Sequence, residues 1–158
     1  MALKIDCVFI LNGVDMDFKR FFAAAILFAV LGQVVHTVGA ILAMGYYTDP
    51  AYFPVWSKIM MPGAGPPPAS FYLISFGFGL IAALIYTYVY EAVKRCLPGA
   101  DYVNKGLSFG ALLFLLALPT TFMLIELINL PLGLITAWTV EELVVTLLGG
   151  VIIARIMK

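Results

Sequence analysis

Charge is scarce in this sequence. Asp, Glu, Lys and Arg together make up 11% of its 158 residues, with nine acids against nine bases, so no basic field exists to hold nucleic acid and no nucleic-acid partner is expected. Histidine occurs once, as His36. A single histidine excludes bis-histidine haem within one chain, and it excludes the paired Glu-x-x-His motifs of a four-helix di-iron site. Glycine-rich phosphate loops, HExxH and CxxC patterns are missing. A Ser-His-Asp triad fails as well, because Asp6, Asp15, Asp17, Asp49 and Asp101 all lie outside the long apolar stretches and no serine carries a motif around it. No catalytic residue is therefore assigned, metal and cofactor remain unspecified, and an enzyme is the least favoured class.

What the chain has in abundance is apolar surface. Hydrophobic residues make up 63% and mean hydropathy is +1.06, more than a soluble core of this size can hide. Lipid is the expected solvent. Crossing a hydrocarbon layer takes about 20 mostly apolar residues, and four stretches qualify: Phe21 to Met44, Phe71 to Val93, Leu107 to Ile128, and Pro131 to Ile153. These define one all-α transmembrane domain over residues 1–158, a four-helix bundle. Lys4, Lys19, Arg20, Lys94, Arg95, Lys105, Arg155 and Lys158 fall on one side of it and only Lys58 on the other. The positive-inside rule then places both termini and the middle loop in the cytoplasm, for a multi-pass protein with residues 1–20 as a cytoplasmic segment.

The first outer loop, Tyr46 to Ser70, carries six of the nine prolines together with Tyr46, Tyr47, Tyr52, Phe53 and Trp56. Proline forbids a long helix there and the aromatics suit the headgroup layer, which predicts a short interfacial element followed by the stiff Pro66-Pro67-Pro68 turn. The third and fourth spans are joined only by Asn129 and Leu130, with Pro131 at the first helical position, and should form a tight antiparallel hairpin. Cys7 and Cys96 both fall on the cytoplasmic side, where thiols stay reduced, so no disulfide is expected. Residues 1–15 lack the pattern of a secretory signal. The run Met16 to Phe21 reads as an ordinary start for a membrane protein, so residues 1–15 are expected to be an optional or misassigned extension.

An ionisable group in the hydrocarbon costs about 2.5–3.5 kcal/mol on insertion scales and is by default a hypothesis about function. Four residues qualify: His36, Glu126, Glu141 and Glu142. At about 1.5 Å per residue, His36 lies roughly 13 Å and Glu142 roughly 16 Å from the outer end, whereas Glu126 lies within about 5 Å of it. His36 belongs to a straight seam of otherwise small residues, Ala25, Ala29, Gly32, Gly39 and Ala43, which lets neighbouring helices approach closely and turns the imidazole into the bundle. Gln33 flanks it. On the fourth span Glu142 shares a line with Thr139, Thr146, Gly149 and Gly150, so it is the first choice for a functional carboxylate and Glu141 the second. Adjacent carboxylates in low dielectric do not both ionise cheaply, which is the physics of a proton carrier and equally of an inert carboxyl bonded to a backbone carbonyl. Pro119, followed by Thr120 and Thr121, frees the carbonyl of Leu115. The threonine hydroxyls either line a polar cavity there or repair the break. Glu126 with Asn129 either forms the mouth of such a cavity or is an interfacial acid that needs no special role.

Several of these features occur together elsewhere: Phe18 to Arg20 before a small-residue first helix with Gly32, His36 and Gly39, an outer loop with Trp56, and Pro131-Leu132-Gly133 through Trp138 and Glu142 to Gly149-Gly150. In them the chain resembles a loose group of small four-helix bacterial inner-membrane proteins. The resemblance covers most of the chain after Met16 and implies topology and a bacterial inner membrane, but no activity. The expected bundle packs through the first-helix seam, the Ser75, Gly79, Ala83 line and the Thr146, Gly150, Ala154 line, with small faces left over for self-association or a larger membrane complex. The leading function is a non-enzymatic membrane protein that binds or helps move a small ligand or ion through His36, Gln33, Glu126, Glu141 and Glu142. The alternative is an accessory subunit whose polar residues only hold helices together.

Overall fold

The computed structural model describes residues 16–63 and 66–158. Four long helices carry the fold: α1 (Phe18–Leu42), α3 (Ala69–Val93), α4 (Tyr102–Leu127) and α5 (Leu132–Ile156). Each is apolar enough to cross a membrane, and at 1.5 Å per residue each is roughly 37 Å long, more than the hydrocarbon thickness requires. No strand occurs among the described residues. The protein is an all-α integral membrane protein built as a four-helix bundle. The proposed extension, residues 1–15, lies outside the described residues.

Local sequence chemistry sets the helix ends. Asp17 caps α1 by accepting from the backbone N–H groups of Lys19 and Arg20, and Asp101 caps α4 by accepting from that of Asn104 at 2.8 Å, each satisfying donors that a helix start leaves orphaned. Pro68 and Pro131 stand at the caps of α3 and α5, so Pro131 precedes the helix by one place instead of opening it. Between α3 and α4 the chain turns through Gly99 at φ +124°, a conformation open to a residue without Cβ. The loop after α1 holds a single-turn helix α2 (Met44–Tyr47) and a 3-10 segment over Pro50–Val55, the short element that its prolines and aromatics predict.

Neighbour relations are uneven. Helix α5 packs along α4 and along α1, α1 packs along α3, and α3 and α5 meet only briefly. The α4–α5 hairpin is the tightest pairing. A Cβ on Gly110 would strike the carbonyl of Thr146, one on Gly106 would meet the backbone of Gly150 and Val151, and one on Gly150 would strike the carbonyl of Gly106. Backbone lies against backbone here, which is how small residues associate helices in lipid.

Most buried side chains gather toward the end of the bundle where the termini and basic residues lie. Phe21, Ala24, Ala25, Phe28, Ala29, Ala83, Tyr90, Phe109, Val145, Ile153 and Ala154 form one core there. Polar ties close the same end: Arg20 Nη1 donates to the Lys158 carbonyl at 2.9 Å, and Lys94 Nζ donates to that of Met157 at 3.1 Å while pairing with Glu91. Thr146, Gly150 and Ala154 pack as expected. Of the Ser75, Gly79, Ala83 line only Ala83 is buried, and Gly79 faces open space, because α3 meets α1 closely only in its second half. Cys96, expected as a reduced thiol, is disulfide-bonded; the chain's other cysteine, Cys7, lies outside the described residues.

Candidate functional site

Away from the basic end α3 and α4 flank a gap with α1 and α5 behind it. The gap is a cavity of about 990 Å³, at the upper end of the 300–1,000 Å³ or so typical of small-molecule sites. Its walls are largely apolar and aromatic. Among the described residues an imidazole and two carboxyl groups interrupt them: His36 from α1, and Glu141 and Glu142 from α5.

Sequence order on α5 gives the two acids different surroundings. Glu141 is buried against α1, and its Oε2 stands 2.9 Å from His36 Nδ1. The imidazole is 51% exposed and the carboxylate 11%, so the pair is held from the acid side and open from the histidine side. Gly39 makes this arrangement sterically feasible, since a Cβ there would collide with the Glu141 carboxyl group. Glu142, one residue and about 100° further round the helix, also lines the cavity. It finds no hydrogen-bond or ion-pair partner among the described residues. The helical-line argument ranked Glu142 first, yet Glu141 is the acid that meets His36. The reason lies in the α1–α5 crossing, which places the glycine notch of α1 opposite position 141.

Gln33 lines the same cavity, its amide donating to Thr37 Oγ1 at 3.3 Å. Glu126 and Asn129 are exposed at the α4 end and do not border the cavity. Thr120 and Thr121 do border it. Thr37, Thr87, Thr136, Thr139 and Thr146 each donate their hydroxyl to the carbonyl four residues earlier, the usual way for a helix to satisfy them in lipid. Among the described residues Thr120 and Thr121 make no such bond, so Pro119 is followed by two hydroxyls left available to the cavity instead of a repaired helix.

A cap closes the end away from the basic residues. Tyr47 from α2 accepts a 2.7 Å hydrogen bond from Trp138 Nε1, and the ring of Trp56 packs on both, 5.2 Å from Tyr47 and 6.3 Å from Trp138. Burial lifts the Tyr47 hydroxyl above its usual range, with the Trp138 bond opposing and the nearby Glu141 reinforcing the shift, so the phenol stays neutral at physiological pH. The sequence places Tyr47 and Trp56 in the headgroup layer and gives no sign that Trp138 joins them. The available signal was their common place toward the outer side, with Tyr47 and Trp56 in the outer loop and Trp138 within the first two turns of α5.

The site therefore defines a class: an integral membrane four-helix bundle with a half-open cavity, mostly apolar, into which one imidazole and two carboxyl groups project. No protein family, curated protein or solved structure matches the chain, so the functional reading rests on this geometry.

Proposed function

We propose that the chain is a non-enzymatic membrane protein that binds a small ligand or ion, or helps move it, through polar residues held between its spans. One observation carries the reading: His36, Glu141 and Glu142, remote in sequence or pointing differently on one helix, converge on a single cavity. Ionisable groups are expensive in hydrocarbon and mark ligand or ion paths when they face a cavity. The eight-to-one distribution of Lys and Arg supports an orientation with both termini cytoplasmic. A C-terminal reporter active only in the cytoplasm tests this orientation.

Native mass spectrometry of protein extracted mildly from its own membrane tests the function. The expected result is the 17.2 kDa chain, or a multiple of it, carrying a small adduct that Gly79→Phe removes by filling the cavity. Recovery only with other chains and without an adduct would instead establish an accessory subunit.

A further inference from the structure

We infer that the ligand of this cavity is a lipophilic organic cation, reached from the bilayer between α3 and α4 and held by Glu142. The inference rests on the ligand-binding reading above and adds the chemistry of what binds.

Charge gives the sign. Among the described residues, the cavity is bordered by two acids, one histidine and neither Lys nor Arg. The one basic group on its walls, His36, is already engaged by Glu141, so nothing there is left to hold an anion. The two acids are not equivalent. Glu141 already has His36 at 2.9 Å, which leaves Glu142 as the carboxylate with no hydrogen-bond or ion-pair partner among the described residues. A carboxylate in low dielectric calls for a compensating cation, and a ligand can supply it.

The walls indicate the body of that ligand. Tyr47, Phe71, Tyr72, Phe76, Tyr86 and Trp138 border the space, and aromatic faces attract an organic cation through their quadrupoles while burying its apolar groups. A small hydrated metal ion would use none of this, and no cluster of three metal-ligating side chains occurs among the described residues. The entrance points the same way. Helices α3 and α4 border the cavity without packing closely on one another, and the residues on its rim, Tyr72 and Leu116, are exposed and apolar in body. The basic end is filled by the core, and the opposite end is covered by the Tyr47, Trp56, Trp138 cluster. The open side faces acyl chains, so a molecule that partitions into lipid reaches it directly.

Three probes separate the elements of this inference in nanodisc-reconstituted protein. Tetraphenylphosphonium is a lipophilic cation, tetraphenylborate has the same shape with the opposite charge, and tetramethylammonium has the same charge with little apolar surface. Saturable tetraphenylphosphonium binding is expected in the wild type, at least tenfold weaker in Glu142→Gln and within a few-fold of wild type in Glu142→Asp. Saturable binding of the other two probes is expected to be at least tenfold weaker than that of tetraphenylphosphonium. Tetraphenylborate binding as tightly, or tetraphenylphosphonium binding unchanged in Glu142→Gln, would overturn the charge assignment. Equal binding of tetramethylammonium would overturn the lipophilic one. No saturable binding of any probe would overturn the whole inference, while an adduct removed by Gly79→Phe would still stand for the cavity as a ligand site.

Discussion

Glycines on two helices of the same bundle have opposite surroundings. At Gly106 and Gly110 of α4 a single added carbon would strike the backbone of α5, whereas at Gly77 and Gly79 of α3 nothing lies within 4 Å. The same split runs through the whole molecule. Toward the basic end aromatic and small side chains interlock into a continuous core. Toward the proline-rich end the helices surround a cavity under an aromatic lid. In lipid there is no hydrophobic drive to squeeze such a space shut, because acyl chains are as apolar as leucine. The packed half provides close contacts that fix the helix positions, and the other half can stay open and carry costly polar groups.

That contrast predicts unequal responses to one substitution made twice. Gly110→Phe should have the largest effect, forcing α4 from α5, with a loss of about 1–3 kcal/mol or more, of the size that overpacking produces. The thermal unfolding midpoint in mild detergent reads it, and an unchanged midpoint would mean that the glycine contact is not what seals the hairpin.

An intermediate effect is expected at the junction of the two halves, where His36 meets Glu141. A double-mutant cycle of His36→Ala and Glu141→Gln should give a coupling of about 0.6–1.7 kcal/mol, the range of interhelical hydrogen bonds in membranes. Zero coupling would show that the 2.9 Å contact makes no energetic link between α1 and α5. Gly79→Phe should have the smallest effect on stability, within about 0.5 kcal/mol, since its side chain enters free space. A loss matching that of Gly110→Phe would show that the proline-rich half is not hollow in the membrane.

Much of the architecture could be read from the chain before its fold. Four spans, the short third turn and the proline-limited loop follow from hydropathy run lengths and from the backbone restrictions of proline, both local properties. The candidate site was legible only in part. Equal depth brought His36 and the acid pair into one argument, because depth depends on counting residues along a helix. Which acid faces which helix depends on rotation about the helix axis, and one residue of error there is about 100°. This is why Glu141 and not Glu142 meets the imidazole, and why Glu126, polar and near a span end, stands apart from the cavity.

By itself the sequence determined that this chain resides in lipid, how many times it crosses, and which rare polar residues enter the spans, since each follows from transfer energies and helix rise along a single strand. Tertiary structure decided the rest. It decided that α3 and α4 do not close on each other, that Gly39 admits the Glu141 carboxyl group, that Glu142 is left facing the space, and that Tyr47 and Trp138 roof it. These depend on how separate helices are placed and rotated against one another. In a bundle without a solvent-driven collapse, that is set by steric fits between residues far apart in the chain.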